Sequence, residues 1–152
     1  MNSAIRDNLN FLYGAPSCRV YNSANESITT ATDTTVTFNS ERWDNDTMHA
    51  GSSGTVTFTT AGRYIVISII EFAANATGYR FVKLWLDATV VAQEQLPAVS
   101  VAASAILNVS TITTATAAQT TATTVYQTSG GALNVLATGN YSPEFMAHWM
   151  GN

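Results

Sequence analysis

The sequence predicts an all-β domain, a two-sheet antiparallel sandwich led by a short N-terminal helix. Three observations carry this reading. From residue 18 onward, short apolar runs recur at regular spacing between turns rich in Gly, Asn, Asp, Ser and Thr, the pattern of a sandwich or barrel. The longest run, AGRYIVISIIEFAAN at 61–75, is dominated by Val, Ile, Tyr and Phe, which suit a pleated surface better than a helix. No helix-length apolar pattern separates the runs, which excludes alternating strand–helix folds.

Residues 3–13 form the helix candidate. Ser3 can cap it, Ile5, Leu9 and Leu12 share one face, and Gly14 and Pro16 end it. So short a helix is marginal alone, so its stripe must dock: on its own domain, in a three-fold bundle with its copies, or on a host surface. Strands are expected at 18–22, 34–38, 55–59, 63–73, 79–88, 90–96, 103–113, 120–128, 133–137 and 144–150, with 43–49 as a further candidate. No internal repeat of fixed period is visible.

Alternation along each strand separates two kinds. Strand 79–88 places Val82, Leu84 and Leu86 on one face and Phe81, Lys83, Trp85 and Asp87 on the other, as an outer strand should. Strand 63–73 is apolar on both faces: Tyr64, Val66, Ile70 and Phe72 against Ile65, Ile67 and Ile69. Strand 144–150 is apolar on both faces too, and 103–113 carries no charge. A sandwich strand normally wets one face. These three therefore belong in one inner sheet whose back lies at a subunit interface.

Composition narrows the function. Charged residues make up 11% of the 152-residue chain and net charge is −4, without the basic footprint of a nucleic-acid binder. No Lys or Arg follows Lys83, and Glu144 is the only charge after Glu94, which suits a subunit with much of its surface covered. Cys18 is the only cysteine, so it is read as a small buried residue and a disulfide framework is excluded. The opening MNSAIRDNLNFLYG lacks the apolar core of a signal peptide, and no run is long enough to span a membrane as a helix. Asn25, Asn45, Asn75, Asn108 and Asn140 stand in N-x-S/T triplets that are read as chance.

Catalytic chemistry finds no foothold. Asp44, Asn45 and Asp46 resemble a fragment of a calcium loop without its glycine or closing glutamate. His49 and His148 stand in no ligand-spaced cluster, and no nucleophile elbow or phosphate-cradling loop occurs. No catalytic residue, metal site or cofactor is expected. Trp43, Trp85, Tyr13, Tyr79 and Tyr141 are candidates for a sugar-binding surface, with packing or subunit contact as the plainer role.

Specific motifs add a resemblance. Ala61-Gly62-Arg63-Tyr64 before the long strand, then Ser129-Gly130-Gly131-Ala132-Leu133, then Phe145-Met146-Ala147-His148-Trp149-Met150, resemble the C1q/TNF-like jelly roll over residues 18–150. More narrowly, the chain is similar to C1q-like domains encoded by tailed bacteriophages at Ala4–Leu9, Cys18–Ser23, Asp44–His49 and Glu71–Gly78. It departs from the family at Ala115-Thr116-Ala117-Ala118, where Leu-x-x-Gly-Asp is usual, and at Ala147, where Gly is usual. The resemblance implies a ten-strand jelly roll forming a compact homotrimer around its inner sheets. The expected trimer interface is Ile65, Ile67, Ile69, Phe145 and Trp149. Burying each isoleucine is expected to contribute about 2 kcal/mol at most. Glu71 shares their face and would form a like-charge ring unless it reaches solvent or pairs with Arg19, Arg63 or Arg80.

The resulting expectation is a non-enzymatic bacteriophage virion protein, a homotrimeric capsid decoration or head or tail fibre subunit. Residues 1–16, with Ile5, Leu9 and Leu12, would attach it, and residues 17–152 form the jelly roll. Its partners would be itself and capsid, portal or tail subunits, with no nucleic acid or membrane, and its place the virion, assembled in the host cytoplasm. The alternative is a receptor- or carbohydrate-binding fibre tip, with Phe81 and Trp85 as ligand surface and a host-surface glycan as partner. A chain that is nearly all head favours the first.

Overall fold

A computed structural model describes residues 3, 9, 11, 13–99 and 102–152. Twelve strands lie among them: β1 (Ser17–Tyr21), β2 (Glu26–Ile28), β3 (Thr34–Thr35), β4 (Ser40–Asp44), β5 (Thr55–Thr57), β6 (Gly62–Phe72), β7 (Tyr79–Leu86), β8 (Thr89–Pro97), β9 (Ala105–Ala115), β10 (Thr120–Gln127), β11 (Leu133–Val135) and β12 (Glu144–Gly151). Every pairing is antiparallel. One sheet runs β2-β11-β6-β12-β1-β4, with β9 on the other edge of β6. The second runs β3-β10-β7-β8, with β5 alongside β10. The three strands that read as doubly covered, β9, β6 and β12, are thus neighbours in the first sheet.

The core fills the space between the sheets by strict alternation. Tyr64, Val66, Ile70 and Phe72 of β6, Leu107 and Val109 of β9, and Phe145 and Ala147 of β12 point inward. They meet Val82 and Leu84 of β7 and Val125 of β10. Phe58 stacks obliquely on Tyr64 at 4.4 Å, and the Tyr64 hydroxyl donates to the Thr60 carbonyl at 2.7 Å, so the buried phenol keeps a partner. Cys18 is buried, and burial, with Asp44 adding to it, pushes its thiol up to about 12, the inert setting of a structural cysteine.

Gly62 closes the sheet at the start of β6. Its φ is +148°, and a Cβ there would collide with the Trp149 indole nitrogen and lie 2.8 Å from the Gly151 carbonyl. Trp149 Nε1 donates to the Ala61 carbonyl at 3.1 Å, so the first residues of β6 and the end of β12 lock together.

Two local expectations change. The 43–49 candidate is a strand only as far as Asp44, because β4 spans Ser40–Asp44. Beyond it the Asp44 carboxylate accepts from the backbone N–H groups of Asp46, Met48 and His49, at 3.2, 3.0 and 2.8 Å, and turns the chain. A side chain that satisfies three backbone donors competes successfully with a ladder. The 34–38 strand shortens to β3, with Phe38 in an isolated bridge to Ser53. At the N-terminus Ser3, Leu9, Phe11 and Tyr13 take helical backbone conformation. Most of the helix expected over 3–13, including Ile5 and Leu12, lies outside the described residues.

Candidate functional site

The outward face of the first sheet is a grid set by strand register. Across β9, β6, β12 and β1, one row reads Ile112, Ile65, His148, Ser17. The next reads Ser110, Ile67, Met146, Arg19, and the third Asn108, Ile69, Glu144, Tyr21. Its β9–β6 half carries no charge. Ile112 and Met150 are 58% and 52% exposed, whereas Ile65, Ile67 and Ile69 are already half-buried by their neighbours. The central isoleucines thus retain less area to bury than their types suggest, and the exposed apolar area lies toward β9 and the end of β12.

Phe145 and Trp149, expected on this face, are not on it. Phe145 is fully buried in the core and packs against Phe38 at 5.9 Å. Trp149 packs on the core's edge and meets Phe11 edge-on at 5.0 Å. The residues between them, Met146 and His148, and then Met150, face outward instead. Both faces of β12 are apolar, so apolarity could not choose between them. The available signal was polarity: Glu144 and His148 share the even phase, leaving the odd phase wholly apolar.

One end of the grid is electrostatically closed. The Glu144 side chain is 1% exposed and lies between two guanidinium groups. Arg19 Nε donates to its Oε2 at 2.5 Å and Arg42 Nε to its Oε1 at 2.6 Å. The two arginines also donate to the carbonyls of Asn140 and Gly139, at 2.9 and 3.4 Å. Arg42 stacks over the Tyr21 ring at 4.3 Å and Arg19 over Trp43 at 5.8 Å. A paired, hydrogen-bonded carboxylate of this kind is tolerated in the interior.

Glu71 finds its partners within its own protomer. It is buried, and Tyr141 donates its hydroxyl to Oε2 at 3.0 Å. Burial pushes its carboxyl up, but hydrogen bonds from Ser104, Thr138 and Tyr141 outweigh it, so the carboxyl titrates below its usual range. None of Arg19, Arg63 and Arg80 is its partner. Arg80 is itself buried inside the sandwich, giving its N–H groups to the carbonyls of Thr77, Tyr79 and Asn75 at 3.0, 3.0 and 3.2 Å.

The second sheet presents a different outward face. Phe81 of β7 pairs directly with Tyr126 of β10, and their rings meet edge-to-face at 5.6 Å. Lys83 Nζ reaches Asp33 at 2.7 Å. These four residues line a depression of about 300 Å³. Trp85 lies on the same face and donates its indole N–H to Thr124 at 2.8 Å. Of the five aromatics considered for sugar binding, only Trp85 and Tyr79 belong to this sheet; Trp43 lies on β4, Tyr141 beside Glu71, and Tyr13 near the N-terminus.

The remaining candidates for chemistry are structural. His49 is buried between Glu41, 3.0 Å from Nδ1, and the Ser53 carbonyl, 3.2 Å from Nε2. Asp44 caps its own turn. Among the described residues no group of His, Cys, Asp and Glu side chains is arranged to hold a metal.

With this geometry in hand, comparison with known proteins places the architecture. The globular domain of a zebrafish complement 1qA protein superposes with a TM-score of 0.62 at 15% identity, covering 90% of this chain and 99% of the other. The chain has a C1q/TNF-like fold. Eiger TNF from S. frugiperda superposes at 0.67 with 13% identity over 91% and 94% of the two chains. Murine APRIL superposes at 0.68 with 6% identity over 89% and 98%. No protein-family model and no curated protein matches the sequence.

Proposed function

We propose that this C1q/TNF-like chain is a non-enzymatic structural subunit of a tailed-bacteriophage particle, a homotrimeric capsid decoration or head or tail fibre subunit. The observation that carries the assembly is the grid of Ile112, Ile65, Ile67, Met146 and Ile69 on the outward face of the first sheet. An apolar strip of this kind, interrupted on β9 by Ser110 and Asn108, suits a protein–protein surface in an otherwise complete sandwich. Three copies related by a closed rotation would cover it with no free edge. The phage setting, and capsid, portal or tail proteins as partners, rest on the sequence resemblance at Cys18–Ser23, Asp44–His49 and Glu71–Gly78.

Light scattering tests the assembly. The native chain should have the mass of three copies, and Ile67→Asp should be monomeric or insoluble, because three carboxylates would enter an apolar contact. A native trimer formed by that variant would refute the interface.

A second reading, a receptor- or carbohydrate-binding tip, is favoured by the aromatic depression on the opposite sheet. The two readings use opposite faces of the sandwich and are compatible in one particle.

A further inference from the structure

We propose that the depression on the second sheet binds a neutral pyranoside, seated against Phe81 and Tyr126 and hydrogen-bonded by Asp33, Lys83 and the Tyr126 hydroxyl. The inference rests on the recognition reading and names its ligand class.

The site follows from strand register. Inward residues of β7 and β10 fill the core, so Phe81, Lys83 and Tyr126 must face out. Phe81 and Tyr126 lie directly opposite each other, with rings inclined at 83°, so one shows its face where the other shows its edge. Asp33, just before β3, closes the β10 side through its bond to Lys83. The depression measures about 300 Å³, at the small end of small-molecule sites, which run from about 300 to 1,000 Å³.

Three features point to a sugar. The half-buried rings of Phe81 and Tyr126, the latter with the Lys83 ammonium 5.8 Å from its centre, offer an apolar contact for the C–H face of a pyranose ring, with polar groups at its rim. Those rim groups have unused capacity. Among the described residues the Tyr126 hydroxyl makes no hydrogen bond, and Lys83 spends one of its donors on Asp33. Together they supply donors and acceptors, the mixture that vicinal hydroxyls need. Finally, the Lys83–Asp33 pair is neutral as a unit, with a 2.7 Å contact. An anionic ligand would meet no surplus cation there, so the site selects an uncharged ring.

The test uses the full chain, saturation-transfer NMR and an array of neutral methyl glycosides and oligosaccharides, with sialyllactose as the acidic probe. At least one neutral glycoside should bind, with affinity unchanged between low and high salt, since no net charge is screened. Phe81→Ala should weaken it about tenfold, the scale of one aromatic contact. Asp33→Ala, at an exposed loop residue, should weaken it without affecting folding. Both variants should keep the oligomeric mass of the native chain. No binding to any neutral glycoside, binding unchanged in both variants, or binding confined to the acidic probe overturns the proposal. A parallel array of proline- and aromatic-rich peptides separates the failures. Peptide binding without sugar binding overturns the sugar and leaves a recognition role, and silence on both arrays overturns both.

Discussion

Ala118 holds φ at +72°, a left-handed conformation that an L side chain resists. It is the fourth residue of the segment that stands where the C1q/TNF-like domains it resembles usually carry Leu-x-x-Gly-Asp, the place of the glycine. Neighbours hold it there: its N–H donates to the Phe58 carbonyl at 2.8 Å, and Gln119 returns its N–H to Thr116 at 3.2 Å. Ala118→Gly should therefore stabilise the domain by about 1 kcal/mol, read as an increase in the denaturant midpoint. Substitution in this direction normally costs stability through unfolded-chain entropy, so a decrease would show that the conformation is unstrained. Arg80 makes a contrasting point at the same scale. It shares the inner phase of β7 with Val82 and Leu84, so alternation buries it, and carbonyls from residues 75–79 accept its charge-assisted bonds.

At the scale of elements, β12 depends on what its first residue carries. Glu144 ties β12 to β1 through Arg19 and to β4 through Arg42. Glu144→Gln would leave two guanidinium groups facing each other without a counter-ion. Breaking a buried pair costs about 3–5 kcal/mol; here the arginine side chains are 27% and 25% exposed, so solvent relieves part of this. We expect a loss of about 2 kcal/mol in chemical denaturation. Glu71 governs how the loop after β11 answers to acid. Its folded carboxyl lies below the unfolded value, about 4.3 for a free glutamate, because Ser104, Thr138 and Tyr141 hydrogen-bond the ionised form. Its contribution is then complete above that value and fades as pH falls through the folded one. The stability gap between the native chain and Glu71→Gln should be constant above about pH 5 and close below about pH 4.3. A gap that widens in acid would reverse the sign of the shift.

For the molecule as a whole, the two sheets divide the work. The first presents the row of Ile65, Ile67, Ile69 and Ile112, which under the proposed reading meets copies of the chain, and the second presents Phe81, Lys83, Trp85 and Tyr126. The N-terminal segment meets the first sheet at the ends of β12 and β4: Asn45 Nδ2 donates to the Ala15 carbonyl at 2.9 Å, Trp149 N–H to the Pro16 carbonyl at 2.9 Å, and Phe11 lies against Trp149. Leu9 and Tyr13 remain 46% and 95% exposed, apolar surface that attachment would cover. Deleting residues 1–10 leaves Phe11 in place, so the oligomer should persist in light scattering. Under the virion reading, incorporation into particles should be lost in the same deletion, and full incorporation would refute the anchor.

Much of the fold was legible in the sequence because alternation has a period of two and the core needs one face of every strand. That logic identified the sandwich, set Phe81, Lys83 and Trp85 outward, and grouped β6, β9 and β12, whereas the inward phase of Tyr64 and Val66 followed from the resemblance. It failed where a strand is apolar on both faces, since hydrophobicity alone cannot assign the phase; Phe145 and Trp149 are that case. It also could not show which distant residues register brings together. Glu144 with Arg19 and Arg42, and Tyr126 with Phe81, are separated by long stretches of chain and meet only through strand pairing. The sequence by itself determined that this chain builds a sandwich with an apolar face to spare. Only the tertiary structure decided which side chains form that face, because cross-strand neighbours are chosen by register, and register belongs to the whole sheet.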